Sequence, residues 1–577
     1  MDSHCGKFNG PAIGIPEPSR FKTKLITGVG TLLLPAIVMI AKYQVLGRLH
    51  AATWHEMKTI TKIVLSNFKR FETLDLQVDE ELNILIGDNE AGKSSILLAL
   101  DLVLSGSVSK VETIGLESIF NVSAISHFLS GSKKIADLPK LFVEVYLAEQ
   151  NNSDLHGFNN SKGIPSDGLR LDCEPVDEYG KEILEALSEA EPIFPFEYYR
   201  IKFTTFADQP YSGYKKFVKH LVIDSSQINN DYATREYTKT VYGAHATVLE
   251  RNKHENLYRK NKSAFKTSAL GEVNAKLEDY KFAVRTGPKS NLASDLIITE
   301  DDIPIEGKGK GRQCFIKTEF ALKKNDGEHQ LDILLLEEPE NHLSHVHMNK
   351  LIQRISDSKK KQLFIATHSS LVCSRLNLRN AVLLNSASAD PVVLKQLTED
   401  TAKFFIKAPD NSVLEFVLAK KTILVEGDAE FILMDAFYKK QPGGTTPEAD
   451  GVHVIPVGTS FKRYMELAKL LGIRTAVVRD NDKNYDANCV ASYADYVTDD
   501  IKVFSDPDNG RWTFEICIYQ DNTASCDTLF SAGRKSLTVQ DYMLTNKADA
   551  AFELLDMAQT TLVAPAYIQD AIAWIKE

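Results

Sequence analysis

The sequence predicts an α/β protein in which two sheet-based domains follow one another, and three observations indicate this fold class. An apolar run from Leu82 to Ile86 leads into a glycine-rich loop and then into an apolar helical pattern. A second apolar run, Ile333–Leu336, ends in two adjacent carboxylates. Beyond residue 411, apolar strands alternate with amphipathic helices, which is the order of a parallel α/β sheet.

The composition limits the classes of function that the chain can serve. At 577 residues the chain is too long for one hydrophobic core, and about two to four domains are expected. A net charge of -11 excludes a uniformly basic surface, so a nucleic-acid partner would require a local basic patch. The seven cysteines are scattered and include no Cys-x-x-Cys pair, which predicts reduced thiols, no zinc site and a cytoplasmic location.

Residues 1–56 do not fit the pattern of the rest. They are rich in glycine, proline and basic residues, and the uncharged run Leu25–Ala41 is barely long enough to cross a membrane. Three interpretations stay open: a membrane anchor, a functional N-terminal extension, and a start codon upstream of the true one. We expect the fold to begin at Met57, where a well-patterned strand starts, and we expect no stable membrane association.

The glycine-rich loop has the spacing of a phosphate-binding loop. Four residues separate Gly87 from Gly92, and Lys93 and Ser94 follow directly. Backbone N–H groups of such a loop point at phosphate, the lysine adds a positive charge, and the hydroxyl can hold Mg²⁺. The chain is therefore predicted to bind ATP with Mg²⁺. The predicted nucleotide-binding residues of the loop are Gly87, Asn89, Gly92, Lys93, Ser94 and Ser95.

Two later strands carry the side chains that ATP hydrolysis needs. Ile333–Leu336 is followed by Glu337, which can position Mg²⁺, and by Glu338, which can orient or deprotonate the attacking water. A strand-ending Glu-Glu-Pro turn is the alternative interpretation. The strand Gln362–Ala366 leads to His368, which stands where a histidine could sense the γ-phosphate. That role is predicted from position after the acidic strand, because a lone histidine is usually structural.

Further features are those of ATPases of the ABC and chromosome-maintenance type. Two short antiparallel strands, Ile60–Leu65 and Leu74–Val78, lead into the phosphate-binding loop. A glycine-rich basic loop at 305–313 precedes the acidic strand, where such ATPases keep the signature loop that covers the ATP of a partner subunit. Gly309 and Gly311 are its predicted nucleotide-binding residues, and two chains would then meet head to tail at each ATP site.

Residues from about 105 to 300 are predicted to form a long insertion in the ATPase domain. Leu141–Leu147 and Glu197–Phe206 have strand patterns, and the part from about 207 to 290 is largely helical and charged. The basic cluster of this part, with its interleaved rings, consists of Arg251, Lys253, Tyr258, Arg259, Lys260, Lys262, Phe265 and Lys266. It is either a stripe that binds phosphate or, as we favour, a solvated face of helices used for dimerisation.

A second chemical centre is predicted in the domain that begins near residue 411. One apolar strand leads to Glu426, and the helix that follows carries Glu430 about one turn further on. After another strand and helix, a third strand leads to Asp480 and Asp482. Parallel sheets put ligand sites at the carboxyl ends of their strands, so these four carboxylates are expected to meet. Since no cysteine or histidine is among them, they favour Mg²⁺ or Mn²⁺ over zinc, although Asp-x-Asp also occurs in ordinary surface loops.

Together, these two centres resemble the OLD (overcoming lysogenization defect) family, which includes the nuclease subunit of Gabija defence systems. The likeness is strongest at Gly87–Ser95, Ile333–Leu343, Thr367–Ser369, Phe416–Glu430 and Val477–Asp482. The family joins an ABC-type ATPase to a Toprim domain. The resemblance therefore implies an ATPase domain at 57–410, whose insertion supplies dimer contacts, and a Toprim domain at 411–577, while residues 1–56 find no counterpart.

The resemblance implies an ATP-regulated, divalent-metal-dependent DNA endonuclease that acts as a dimer or larger homo-oligomer, with room for an accessory defence protein as partner. By position, the implied metal ligands of the Toprim domain are Glu426, Glu430, Asp480, Asp482 and Glu515, of which Glu426 and Asp480 are taken as catalytic. Glu515 falls in a predicted strand. Lys547 resembles the lysine that stabilises charge developing on the phosphate.

Functions of other classes stay open. An ATP-dependent DNA clamp or repair ATPase would bind DNA and hydrolyse ATP without breaking strands, with the carboxylates only anchoring structure. Toprim sheets also serve topoisomerases and primases. None of the twenty tyrosines stands out as a topoisomerase nucleophile, and a primase would incorporate nucleotides.

Overall fold

The structure is a computed structural model, and it describes most of the chain after residue 57. The described ranges are 58–149, 152–189, 191–226, 231–285, 290–322, 331–357, 361–384, 391–408, 412–531, 536–558 and 560–577. The predicted extension at 1–56, with its run Leu25–Ala41, lies outside them. Within these ranges, no helix combines the length and the apolar character that crossing a bilayer would need.

Fourteen strands of the described ranges build two sheets and one short hairpin ahead of residue 411. They are β1 (Ile60–Phe68), β2 (Phe71–Gln77), β3 (Leu82–Gly87), β4 (Leu141–Leu147), β5 (His156–Gly157), β6 (Ser166–Pro175), β7 (Tyr199–Thr205), β8 (His220–Asp224), β9 (Thr299–Glu300), β10 (Ile303–Pro304), β11 (Ile333–Glu337), β12 (Gln362–Ala366), β13 (Ala381–Leu384) and β14 (Val392–Val393). The predicted strands around the phosphate-binding loop and the acidic pair are thereby confirmed.

The two sheets differ in strand direction. The first is antiparallel, in the order β2-β1-β4-β6-β5 with β7 paired to β6. The second has the order β14-β13-β3-β12-β11-β8, and its strands from β13 to β8 run parallel. The strands at the middle of the second sheet read as continuous apolar runs because both of its faces are covered.

Helices cover both faces of the second sheet. The helices that the structure describes ahead of residue 421 are α1 (Lys93–Ser105), α2 (Val108–Ile114), α3 (Leu116–Ile119), α4 (Val122–Ser130), α5 (Gly180–Leu187), α6 (Asp231–His245), α7 (Val248–Ser268), α8 (Gly271–Asn274), α9 (Leu292–Asp295), α10 (Lys310–Leu322), α11 (His345–Ser356), α12 (Ser370–Arg375), α13 (Glu399–Lys407) and α14 (Val413–Leu418). Helix α1 lies between the two sheets, and its side chains share one apolar core with both. Its sequence is apolar on most sides for that reason.

The predicted insertion at about 105–300 is wrong in its extent. Strands β4, β6 and β7 belong to the first sheet, and β8 pairs in parallel with β11 in the second. The part predicted as inserted, about 207–290, therefore contains a strand of the second sheet, and the excursion begins only after Asp224. Its helical character is confirmed by α6, α7 and α8. Sequence patterns missed β8 because a five-residue strand that starts with histidine carries little periodicity.

The C-terminal part contains a third sheet, and it is parallel throughout. Its strands are β15 (Lys421–Val425), β16 (Val452–Pro456), β17 (Arg474–Val478) and β18 (Ile501–Phe504), in the order β16-β15-β17-β18. Its helices are α15 (Asp428–Lys440), α16 (Phe461–Leu471), α17 (Phe514–Asp521), α18 (Thr523–Phe530), α19 (Val539–Thr545), α20 (Lys547–Ala558) and α21 (Ala566–Lys576). The predicted alternation of strands and helices is confirmed.

The apolar core runs without a break from the second sheet into the third. Phe405 of α13 and Phe416 of α14 both pack edge-on against Tyr464 of α16, with ring centroids 5.2 and 5.1 Å apart. Beside them, the Arg463 guanidinium donates to the Thr401 hydroxyl over 2.8 Å. The region near residue 411, predicted as a domain boundary, is thus flanked by packed helices that join the two parts.

Candidate functional sites

The phosphate-binding loop connects β3 to α1, and its two glycines are required by sterics. Gly92 has a φ of 99°, and a Cβ atom there would lie 2.4 Å from the Phe71 ring. At Gly87 a Cβ atom would lie 2.2 Å from the carbonyl oxygen of Leu384. Any larger residue would push the loop off the sheet edge, so glycine is needed at both ends of the loop.

Lys93 lies buried at the start of α1 with its ammonium group turned back into the loop. Its Nζ donates to the carbonyl oxygens of Gly87, over 2.8 Å, and Asp88, over 2.9 Å. Burial lowers the pKa of Lys93, while the nearby carboxylates of Glu338 and Asp88 act in the opposite direction. The charge is thus held at the loop by neutral oxygens, where a phosphate group would be a stronger partner.

Strand register places the acidic strand beside the loop. Glu337 lies opposite Ala366 of β12 and opposite Asp224 of β8, so all three strands end at one edge of the sheet. Burial raises the pKa of Glu337, and the Asp224 carboxylate adds to this effect, whereas a hydrogen bond with Ser94 lowers it. The Ser94–Glu337 contact brings together the two groups predicted to share Mg²⁺.

Glu338 and His368 face each other at the same edge of the sheet. Glu338 has a φ of 45°, and its Oε2 accepts a hydrogen bond of 2.5 Å from the Asn341 amide. The Nε2 atom of His368 lies 3.8 Å from Glu338 Oε1. Glu340 holds this corner by accepting hydrogen bonds from the Thr367 hydroxyl, over 2.6 Å, and the His368 backbone N–H, over 2.8 Å.

Two carboxylates at this edge escaped the sequence analysis. Asp224 ends the short strand β8, which gave no periodic signal. Glu340 follows the Glu-Glu pair closely, and its other oxygen, Oε2, is buried without a hydrogen-bond partner among the described residues. Its place one residue after Pro339 in an acidic stretch was the signal that could have marked it.

The basic glycine-rich stretch at 305–313 is not an open loop. A single 3₁₀ turn covers Ile305–Gly307, and α10 begins at Lys310, so the predicted loop is wrong in length. Gly309 is exposed just ahead of the helix, whereas Gly311 lies in its first turn. A Cβ atom at Gly311 would lie 2.0 Å from the carbonyl oxygen of His342, so glycine here allows α10 to approach the segment that follows the acidic pair.

The second centre lies at the carboxyl end of the third sheet. Glu426 follows β15, and Glu430 lies in the first turn of α15, where its Oε2 accepts a hydrogen bond of 3.1 Å from the Gly427 N–H. Asp480 follows β17 and accepts a hydrogen bond of 2.8 Å from the Phe514 N–H. Glu430 and Asp480 are buried, whereas Glu426 is half-buried.

Glu515 lies in a helix, so the predicted strand at this position is wrong. Thr513 caps α17 by accepting the N–H of Ile516 with its hydroxyl, and this bond turns an aromatic, β-prone stretch into a helix start. The carboxylate of Glu515 is 4% exposed and lies 2.9 Å from the ammonium group of Lys547 at the start of α20. The two residues that the sequence marked only by resemblance are therefore direct partners.

The carboxylates of this centre act on one another. Burial raises the pKa of Asp480 to about 8, and the charges of Glu430, Glu426 and Glu515 add to the rise. Burial likewise raises the pKa of Glu430 to about 7 and raises that of Glu426. Negative groups that share a desolvated site repel one another, and a cation relieves that repulsion.

Comparisons with known proteins match each part of the chain to a family model. Residues 57–256 match the AAA ATPase domain, and residues 417–482 match the Toprim domain described as overcoming lysogenization defect protein-like. The second match spans all four carboxylates from Glu426 to Asp482. The chain thus joins an AAA ATPase domain to an OLD-like Toprim domain. No curated protein matches it significantly.

Solved structures with similar parts include the C-terminal region of an OLD protein and two SMC heads. The C-terminal region of the Burkholderia pseudomallei OLD protein is 24% identical and covers 28% of this chain and 98% of its own, with a TM-score of 0.23. The SMC head domain from Thermotoga maritima is 12% identical and covers 58% of this chain and 97% of its own, with a TM-score of 0.28. An SMC head bound to the C-winged helix domain of ScpA is 14% identical and covers 59% of this chain and 100% of its own, with a TM-score of 0.30.

The carboxylates of the OLD-like Toprim domain fit a divalent cation by their chemistry and their charge. Oxygen donors without sulfur or nitrogen are the ligand set of Mg²⁺ and Mn²⁺. Within the described ranges, however, no three acidic, histidine or cysteine side chains already surround one point as a ligand set. Glu430, Asp480, Asp482 and Glu515 are instead held by protein donors, so binding a cation would exchange those bonds for metal–oxygen bonds.

Arg479 of the fusion is a positive group that the sequence analysis missed. Its Nη2 lies 2.8 Å from Asp482 Oδ2, its Nη1 donates to the Tyr493 hydroxyl over 2.9 Å, and its Nε donates to the carbonyl oxygen of Asp480 over 2.8 Å. The exposed Asp482 carboxylate is thus paired with Arg479. The arginine directly precedes Asp480 in the chain, and that adjacency was the available signal.

Proposed function

We propose that this ATPase–Toprim fusion is an ATP-regulated, divalent-metal-dependent DNA endonuclease. The observation that carries the proposal is the desolvated group of carboxylates at the carboxyl edge of the Toprim sheet, where burial and mutual repulsion raise the pKa of Asp480 to about 8. Such a group is costly unless cations bind it. Two divalent cations held by such carboxylates would activate a water molecule and stabilise the leaving oxygen of a phosphodiester.

The chain's own residues have separate tasks in this proposal. The implied ligands are Glu426, Glu430, Asp480, Asp482 and Glu515. Lys547 would stabilise negative charge on the scissile phosphate, because its ammonium group is half exposed while Glu515 holds it beside the carboxylates. Asp482 would first release Arg479, and the freed guanidinium would offer a second positive group to the DNA backbone.

The ATPase site would regulate cutting. The loop around Lys93 would bind the phosphates, Ser94 and Glu337 would hold Mg²⁺, and Glu338 would orient the attacking water with His368 beside it. We propose that Gly309 and Gly311 of a second copy close this site, so that ATP binding sets the geometry of a homodimer or larger oligomer. The packed helices between the two parts would pass that geometry to the Toprim sheet.

A second candidate function is an ATP-dependent DNA clamp without nuclease activity. In such a clamp the carboxylates would only anchor structure, as the backbone donors to Glu430 and Asp480 would allow. A clamp would bind DNA and hydrolyse ATP but leave strands intact. A biological role in antiphage defence or DNA processing, with an accessory defence protein as partner, rests on the resemblance to the OLD family.

Plasmid cleavage separates the two functions. Supercoiled DNA is incubated with the full chain while Mg²⁺, Mn²⁺ and ATP are each varied independently. We expect nicks only with a divalent cation, a dependence on ATP, and loss of cutting in Asp480→Asn. Asp499→Asn, which makes the same charge change at an exposed residue of the same domain, is the matched control. Equal cutting by Asp480→Asn and wild type would refute the site, and intact plasmid under every condition would favour the clamp.

A further inference from the structure

A polar cavity of about 650 Å³ lies in the helical excursion between β8 and β11. Its walls come from α6, α7 and the segment Ser290–Ala293 that leads into α9. None of its lining residues belongs to the ATPase or the Toprim site. Its volume is within the range of small-molecule sites in proteins.

Helix α7 turns its polar side toward this cavity. The lining residues recur at the spacing of one helical face, and they are Arg251, Glu255, Tyr258 and Lys262. The apolar side chains of the same helix point elsewhere, since Leu249 is 80% and Phe265 53% exposed. A helix that packs onto a protein normally buries its apolar side. The polar side of α7 is therefore available to the cavity, while its exposed apolar side chains stay available for the dimer contacts expected of these helices.

The cavity is strongly positive. Lys239, Arg251, Arg259 and Lys262 contribute four cationic side chains, and Glu255 is the one acidic lining residue. A concave site with this excess of positive charge attracts an anion.

Two of the charged lining residues serve to hold the wall. The Lys262 ammonium contacts the Ser290 hydroxyl at 3.0 Å and Asp295 Oδ2 at 3.3 Å. Glu255 Oε2 accepts a hydrogen bond of 3.1 Å from the Leu292 N–H. These bonds fix the segment that closes the cavity, so Lys262 and Glu255 are occupied by the protein itself.

The two arginines are left for a ligand. Lys239 has a carboxylate partner in Glu236, 3.5 Å away, but within the described ranges neither Arg251 nor Arg259 makes an ion pair. The Nε atom of Arg251 is moreover buried without a hydrogen-bond partner in that part of the chain. A guanidinium fork of this kind pairs best with a phosphate group.

Tyrosine rings complete the site. Tyr242 and Tyr258 both line the cavity, and the Tyr258 hydroxyl is fixed by a hydrogen bond of 2.5 Å to Asp295. The Lys262 ammonium covers one face of the Tyr258 ring, 4.5 Å from its centroid, so a planar group would lie against the opposite face. We propose that this cavity is a second nucleotide site, in which Arg251 and Arg259 hold the phosphate of a small nucleotide and a tyrosine ring lies against its base.

A small ligand fits better than a nucleic-acid strand. The cavity is bounded on three sides by helices and a fixed segment, whereas a strand needs an open groove along a basic stripe. The remaining basic residues of α7, among them Lys253 and Lys260, are exposed and take no part in the lining. Those two residues therefore serve as a matched control on the same helix.

Binding is measured by calorimetry with AMP and with pyrophosphate as probes. The full chain carries Lys93→Ala, which weakens the phosphate-binding loop. We expect AMP to bind this protein and affinity to fall about tenfold or more when Arg251→Gln and Arg259→Gln are added. Lys253→Gln with Lys260→Gln should leave it unchanged. The proposal would be overturned if the arginine and the lysine double variants lost AMP affinity equally. It would also be overturned if neither probe bound to the Lys93→Ala protein.

A second readout works without changing the arginines. In the Lys93→Ala protein, AMP should slow amide hydrogen exchange at 248–268 and 290–295, and unchanged exchange there would contradict the proposal. A third outcome would overturn the proposal in favour of a nucleic-acid contact: a single-stranded oligonucleotide binds in a way that depends on the two arginines, while AMP does not bind. Melting curves check that each variant is folded.

Discussion

The carboxylate of Glu515 and the ammonium group of Lys547 form an ion pair of 2.9 Å between the starts of two different helices. Glu515 is 4% exposed, whereas half of the Lys547 side chain is in contact with solvent. The lysine thus compensates a buried charge from a position that is still open to a ligand. This pair ties the C-terminal helices to the carboxylate site, and it leads to the first prediction.

Lys547→Met should destabilise the Toprim part, because it leaves Glu515 buried and unpaired. Breaking such a pair costs about 1–3 kcal/mol when one partner is half exposed. Lys547→Arg should recover most of the loss. Thermal melting at neutral pH measures it, with Lys439→Met as control because its partner Asp435 is exposed. A Lys547→Met protein that melts like the control variant would contradict the prediction.

A divalent cation should stabilise the wild-type chain through the Toprim carboxylates. At a concentration of one hundred times its Kd, a bound ion adds about 2.7 kcal/mol to the free energy of unfolding. Asp480→Asn should lose this gain, yet melt higher than wild type in EDTA because it relieves repulsion at a buried site. Melting curves with Mn²⁺ and with EDTA, both without nucleotide, measure the two effects.

Asp499→Asn is the control for that experiment, since Asp499 is exposed. It should follow wild type in both conditions. Equal Mn²⁺-dependent shifts in Asp480→Asn and wild type would show that the ion binds elsewhere.

Glu338→Gln should slow ATP hydrolysis by about two orders of magnitude while leaving ATP affinity nearly unchanged. The amide is isosteric but cannot accept a proton from water, and general-base catalysis contributes a factor of this size. A phosphate-release assay and a separate ATP-binding titration provide the two measurements. Glu399→Gln, at an exposed helix start, serves as control. Loss of ATP binding in Glu338→Gln would indicate a structural role instead.

The pair of His220 and Asp101 should make stability depend on pH. His220 Nε2 lies 2.9 Å from Asp101 Oδ1 and connects β8 to α1. Burial opposes ionisation of Asp101, yet the contact with His220 lowers the pKa of Asp101 to about 2, and burial lowers the pKa of His220. For both groups the unfolded chain binds protons more readily, so this contribution is present at neutral pH and is lost as the pH falls.

The expected result is a melting temperature that falls as the pH drops below 6.5, where histidine in an unfolded chain takes up a proton, and falls further below about 4. His220→Gln keeps a hydrogen-bond donor for Asp101 without titrating. This variant should lose the decrease in melting temperature that begins at the histidine pKa, and it should keep the decrease at lower pH that comes from Asp101. His156→Gln, at a half-exposed histidine, should show the wild-type profile.

Contiguous motifs were read correctly from sequence because their chemistry depends on neighbours in the chain. Gly87, Gly92 and Lys93 form a phosphate-binding loop by backbone conformation alone, and an apolar run before Glu337 specifies a buried strand whatever lies beside it. The order of strands and helices from Lys421 onwards is likewise local. These features determined the two α/β parts and the carboxylates that each strand delivers.

Only the tertiary structure decided which groups meet. Thr513 caps a helix and so brings Glu515 to Lys547. Strand β8 brings Asp224 beside Glu337. The polar side of α7 lines a cavity, although a sequence pattern assigns these residues to a solvated helix. Pairing and packing depend on distances between segments far apart in the chain, and a local pattern carries no information about those distances.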